Sequence, residues 1–204
     1  NVDLMTLNGS KAYGPKGVGV LYRRRDTPLT PLIVGGGQEG GLRAGTESVP
    51  LVVGMAAAYE KALRLQDTET RRLDALRDYF IAGLRERIPN ILINGHKKEY
   101  VPHIVHVSVP RIEGESMVLM LDAADIEAAT GSACSTGDLK PSHVLAALGH
   151  SDELIHGSVR FSFGRGTTRE DIDTIPSVLP NIVTTLTQAS ALTTNHYAHY
   201  AKTS

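Results

Sequence analysis

The chain has 204 residues, 41% of them hydrophobic and 21% charged, and a formal net charge of −1 at pH 7. That length allows one large domain or two small ones around a buried core, and the balanced charge offers no electrostatic footprint for nucleic acid or an anionic membrane. No apolar run approaches the roughly 20 residues that span a bilayer, the first residues carry no secretory signal pattern, and a single cysteine excludes an intrachain disulfide and fits a reducing compartment such as the cytoplasm.

In chain order, residues 2–8 (VDLMTLN) and 18–22 (VGVLY) read as short strands on either side of a loop that holds Lys11. Residues 23–47 are basic and then glycine-rich, with five glycines from Gly35 to Gly41, and predict a long loop. Ser48 is placed to cap a helix that Pro50 opens. Asp67 is placed to cap a second helix, on which Leu73, Leu76, Phe80 and Leu84 share a face and which Pro89 ends. Beyond Asn90, ILING, HIVHVSV and SVRFSFG predict strands. Helices are predicted at 114–122, 141–148 and 168–188. Thr167 and Glu170 form a capping signal for the last helix, and Pro176 and Pro180 predict a kink or break inside it, at a cost of about 3 kcal/mol each. Residues 191–204 lack periodicity and predict a loose tail. The division expected is residues 1–60, residues 66–190 and the tail.

Four places carry candidate chemistry. Lys11 is bracketed by Gly9 and Gly14-Pro15 at the end of an apolar strand, where α/β folds present ligand groups; it reads either as a solvated loop lysine or as an amine able to condense with an aldehyde. The stretch Gly35 to Gly40 matches GxGxxG but lacks the strand–turn–helix setting of a dinucleotide site. It reads as a flexible connection or as a loop offering backbone N–H groups and Thr46 to an anion. Cys134 lies in ATGSACSTG (129–137), among residues too small to bury it densely, so an accessible, reactive thiol is favoured over a buried one. Arg160 sits inside SVRFSFGR, either as an outward strand position or as a fork for a carboxylate. His103 and His106, three apart in a strand, point to opposite faces and do not read as metal ligands.

The series NGSKAYGPKGVGVLY, GGGQEGGLRAGTESV, GESMVLMLD, ATGSACSTG and SVRFSFGRGTTREDID closely resembles, in order and spacing, the later half of the pyridoxal-phosphate-dependent cysteine desulfurases of the iron–sulfur-cluster class. The resemblance implies an α/β, fold type I architecture in which residues 1–60 are a C-terminal remnant of the large cofactor-binding domain. Residues 66–190 would form the smaller α+β C-terminal domain. It implies pyridoxal 5'-phosphate as cofactor, L-cysteine as substrate, a homodimer, and a sulfur-acceptor or scaffold protein as partner. Lys11 matches the lysine that forms the Schiff base and Cys134 the cysteine that takes sulfur as a persulfide. Arg160 matches the arginine that holds the substrate carboxylate, and Thr46 the threonine that reaches the cofactor phosphate of the partner subunit. Where the family has Ser-Gly-His before the lysine, this chain has Asn8-Gly9-Ser10, so Asn8 and Ser10 are the phosphate donors expected there. The family's ring-stacking histidine and its aspartate opposite the pyridine nitrogen precede the lysine by more than the ten residues present, so a missing N-terminal half is expected. Two other readings are a different pyridoxal-phosphate lyase or aminotransferase, and a non-catalytic dimerisation or scaffold-docking fragment.

Overall fold

The computed structural model describes residues 1–130 and 141–200, with side chains described up to Ser190. The chain divides into two compact units, Asn1–Thr68 and Glu69–Ser204. Among the described residues no helix is long and apolar enough to cross a membrane.

In the first unit, strands β1 (Leu4–Asn8) and β2 (Gly19–Arg23) pair antiparallel, with Met5 opposite Tyr22 and Asn8 opposite Gly19. Apolar side chains occupy both faces of this pair, and Leu4, Met5, Val20, Leu21 and Tyr22 are all exposed. A two-stranded sheet of this kind is marginal by itself in water. Gly9 follows β1 because nothing larger fits: a Cβ there would stand 2.9 Å from both the Pro15 oxygen and Val18 Cγ1. The long glycine-rich loop holds only a 3₁₀ turn at Gln38–Gly41. Helix α1 (Val49–Arg87) then begins one residue after Ser48, as expected.

The helix start predicted at Asp67 does not occur, because α1 runs unbroken for 39 residues. The stretch around Asp67 holds no Gly or Pro, and one interior Asp costs only about 0.5 kcal/mol of helix propensity, less than a new end with its unpaired backbone groups.

The second unit is built on a four-stranded sheet in the order β3 (Leu92–Asn94), β4 (Ile104–Ser108), β6 (Ser158–Ser162), β5 (Ala129–Thr130), antiparallel throughout. Helices α2 (Gly114–Asp122), α3 (His143–Ala147), α4 (Asp152–His156) and α5 (Arg169–Tyr200) complete it. Alternation sorts the strands. Val105, Val107, Val159 and Phe161 point into a core shared with Leu73, Phe80 and Leu84 of α1, Met117 and Leu121 of α2, and Ile172 and Leu179 of α5. The opposite face of the sheet carries His106, Ser108, Ser158 and Arg160.

Helix α5 continues through Pro176 and Pro180, where a kink or break was expected, and runs to Tyr200, into the stretch read as a loose tail. Ile172, Ile175, Leu179 and Ile182 are all buried, and burying each contributes about 1.5–3 kcal/mol, enough to offset two prolines. Gly83 gives Pro176 its space, since a Cβ at Gly83 would meet Pro176 Cγ at 3.3 Å. The reciprocal cap lies one residue later than expected: the Thr168 hydroxyl accepts from the Asp171 N–H (3.2 Å) and the Asp171 carboxylate from the Thr168 N–H (2.8 Å). Thr167 instead accepts from the Gly164 N–H at 2.8 Å. Arg72 of α1 clamps the same turn, donating to the Gly164 and Thr167 carbonyls at 2.9 and 2.8 Å. The connection leaving β6 is thereby fixed.

Candidate functional site

Lys11 sits on a rigid 3₁₀ turn, Gly9–Ala12, at the end of β1. Gly9 donates to the Val18 carbonyl (3.0 Å), Gly14 donates to the Gly9 carbonyl (2.9 Å), and Tyr13 closes the turn at φ 61°. The Tyr59 hydroxyl of α1 donates to the Asn8 carbonyl at 3.3 Å, tying the strand end to the helix. Asn8 caps the turn: its Oδ1 accepts from the Ser10 N–H (3.0 Å) and the Ser10 hydroxyl (2.9 Å). That internal pairing leaves the Asn8 Nδ2 group as the outward donor, while the hydroxyl of Ser10 is turned inward to Asn8. The Lys11 ammonium is exposed and has no ion-pair partner among the described residues. Thr46 is exposed too, directly after Gly45, whose φ is 109° and whose N–H donates to Gln38 Oε1 at 3.2 Å.

An amine and a carboxamide donor held on one stiff turn suit a ligand that combines an aldehyde with an anion, so the donors present fit pyridoxal phosphate at that end. Asn8, Ser10 and Lys11 are thus brought together, and Thr46 stands in the same unit of the chain. Arg160 belongs to the other unit. Cys134 lies outside the described residues.

Arg160 occupies the polar face of the four-stranded sheet, in register with His106 of β4, which is itself opposite Asn94 of β3. These three side chains form a row across three adjacent strands and line a cavity of about 290 Å³, with Thr130, Ser142 and Leu145 among its other walls. Among the described residues Arg160 makes no ion pair and no side-chain hydrogen bond. Asn94 Nδ2 donates to His106 Nδ1 and to the Ser108 hydroxyl, both at 2.8 Å. A donor on Nδ1 requires a neutral ring with its proton on Nε2.

Burial lowers the His106 pKa from 6.5 to about 4, with the Arg160 charge and His150 acting in the same direction. A folded value below the ordinary one means that the unfolded chain takes up the proton first as pH falls. The stability held by the neutral ring is therefore complete above pH 6.5 and lost as pH falls through about 4. Urea midpoints measured across this range should fall more steeply for the unaltered chain than for His106→Asn; parallel curves would contradict the assignment.

The sequence singles out Arg160, offers His106 only as a position that does not read as a metal ligand, and gives no signal for Asn94. The period-2 spacing of His106 with Ser108, and of Arg160 with Ser158 and Ser162, puts polar groups on one face of each strand. What joins the strands into one row is their order, in which β6 inserts between β4 and β5. No local spacing shows that.

The aminotransferase class-V family profile matches residues 1–175. The chain belongs to the class-V aminotransferase family. Its similarity to individual members is high: it is 47% identical over 182 residues to the cysteine desulfurase IscS of Dictyoglomus turgidum, covering 89% of this chain and 46% of that protein. It is 46% identical over 197 residues to the cysteine desulfurase IscS of Methanosarcina thermophila, covering 97% and 48%. Among solved structures, a NifS-like protein superposes with a TM-score of 0.81 at 32% identity, covering 91% of this chain and 47% of that one. The α/β, fold type I architecture expected of a class-V aminotransferase is therefore the one present. The chain spans about half the length of the curated relatives it matches.

Proposed function

We propose that this class-V chain is the C-terminal part of a pyridoxal-phosphate-dependent cysteine desulfurase, which converts L-cysteine to L-alanine and passes the sulfur to Cys134 as a persulfide. The observation that supports it is the 46–47% identity to proteins named cysteine desulfurases over 89–97% of the chain. The activity is assigned to the longer enzyme. Apolar side chains exposed on both faces of the β1–β2 pair suit strands inside a larger sheet, which makes the preceding half of the enzyme a partner of this chain. Assembly as a homodimer in the cytoplasm, and a separate sulfur-acceptor or scaffold protein, belong to the same reading.

Lys11 would hold the cofactor, with Asn8 Nδ2 donating to its phosphate and Thr46 to that of the partner subunit's cofactor. Pyridoxal phosphate, when bound, supplies an electron sink for bond changes at the substrate Cα and Cβ. The Lys11 amine carries the proton at Cα, a role that requires a flexible base on a fixed backbone. The Arg160 fork pairs with the substrate carboxylate and so sets which way the amino acid lies. Cys134, as thiolate, attacks the substrate sulfur; the new S–S bond forms as the Cβ–S bond breaks, and a proton takes the place of sulfur at Cβ to give L-alanine. The sequence neighbours of Cys134 in 129–137 are all small residues, which suits a reactive thiol.

Assays of the holoenzyme with L-cysteine should yield alanine and protein-bound sulfane sulfur in equal amounts. Cys134→Ser should abolish the persulfide while leaving the cofactor absorbance unchanged. Desulfuration retained in that variant would contradict the assignment.

A further inference from the structure

The row across the sheet contains more than the one arginine. Asn94, His106 and Arg160 stand on three hydrogen-bonded strands in direct register, so their positions are set by the sheet and not by loops. The cavity they line, about 290 Å³, lies at the small end of ligand pockets, and suits a molecule the size of an amino acid. Asn94 is committed to two donations, to His106 and to Ser108, and its Oδ1 is buried with no hydrogen-bond partner among the described residues. A buried unpaired carbonyl oxygen is costly, and in this orientation the carboxamide keeps both Nδ2 donations, to His106 Nδ1 and to Ser108. The consequence is that the ring nitrogen not bonded to Asn94, Nε2, carries a proton and is the group left to meet a ligand beside Arg160.

We propose that His106 is a second carboxylate-binding residue of this pocket, donating from Nε2–H next to the Arg160 guanidinium, with Asn94 as the positioning residue that holds the ring in that tautomer. This deepens the desulfurase reading and rests on it for the identity of the ligand, L-cysteine. The physical advantage is the absence of like-charge repulsion. A neutral donor beside a guanidinium adds a hydrogen bond to the bound carboxylate, whereas a second cation would have to be buried against the first. The charged and titratable groups facing His106 are Arg160 on β6 and His150 between α3 and α4, and both favour the neutral ring.

The test uses the holoenzyme and two substrates, L-cysteine and its methyl ester, which lacks the carboxylate. His106→Ala should raise KM for L-cysteine roughly tenfold, the loss expected of a hydrogen bond to a charged group, and leave KM for the ester within twofold. His106→Gln, whose side-chain amide extends to about where Nε2 lies, should recover most of the loss, and the shorter His106→Asn should not. Equal effects on both substrates, or none on either, would overturn the proposal.

A second arm needs no turnover. With nitrogen-15-labelled histidine, His106 should show the Nε2–H tautomer at neutral pH. Its Nε2 resonance should move on adding L-alanine but not alaninol, its carboxylate-free analogue, and Asn94→Leu should reduce the Nε2–H population. An Nδ1–H tautomer, or no response to alanine, would overturn the proposal. If the unaltered protein fails to desulfurate L-cysteine, the functional reading alone fails, and the alanine response then decides the pocket by itself.

Discussion

Replacing Lys11 with alanine is expected to lower the rate of alanine formation from L-cysteine by a factor of roughly 10²–10⁴, the range that a positioned proton carrier contributes. The melting midpoint of the cofactor-free protein should not move, because the Lys11 side chain is exposed and makes no ion pair among the described residues. Lys11→Arg separates chemistry from charge. Arginine keeps the cation and fits the same exposed position, but its guanidinium stays protonated and cannot act as the base. Both variants should therefore be inactive in a coupled alanine assay while remaining folded by circular dichroism. Activity retained in the arginine variant would reduce Lys11 to an electrostatic role. The stiffness of the turn gives the prediction its sharpness, since Gly9 admits no side chain and Asn8 caps the turn through two hydrogen bonds.

Phe80→Ala should be the most damaging single change to the second unit, at about 3–5 kcal/mol. Phe80 is fully buried, and its ring meets Phe161 and Phe163 edge-on, with centroids 5.2 and 5.3 Å away; each such pair adds about 0.5–1.5 kcal/mol beyond its buried area. Against a typical domain stability of about 5–15 kcal/mol, that loss should show as a large drop in the urea midpoint. Function should suffer through the same strand. Phe161 points into the core from β6 while its neighbour Arg160 points the other way, so loosening the aromatic cluster loosens the strand that positions Arg160. A midpoint within the error of the unaltered chain would mean that the core lies elsewhere.

The parts of this architecture that were legible in the sequence are those set by local chemistry. The period-2 runs gave β4 and β6, the segment 114–122 became α2 at the same residues, and the glycines around Lys11 marked a turn that admits no side chain at Gly9. The misreadings arose where tertiary burial outweighs a local signal. Asp67 looks like a cap but lies inside a helix that nothing interrupts, and Pro176 and Pro180 look like breaks but lie on a helix anchored by four buried aliphatic side chains. Thr167 and Thr168 are both plausible caps, and the choice between them follows from Thr167 accepting the Gly164 N–H.

For the candidate site, single residues stood out by their chemistry, Lys11 and Arg160 among them, but not the company they keep. The spacing of His103 and His106 places both in one strand, but His103 lies in the turn before β4 and only His106 is on the strand. The neighbours of His106 in space are Asn94 and Arg160, which are 12 and 54 positions away in the chain. The pairing of Asn8 with Ser10 was invisible for the opposite reason: both read as outward donors until the cap geometry showed them bonded to each other.

Lys11 as the attachment point of the cofactor is the claim on which the rest depends, and one measurement addresses it directly. The holoenzyme is treated with borohydride to fix pyridoxal phosphate covalently, digested, and mapped by tandem mass spectrometry. The account predicts a single modified lysine, Lys11, at close to full occupancy. Label spread over exposed lysines such as Lys16 and Lys61, or no label on Lys11, would contradict it.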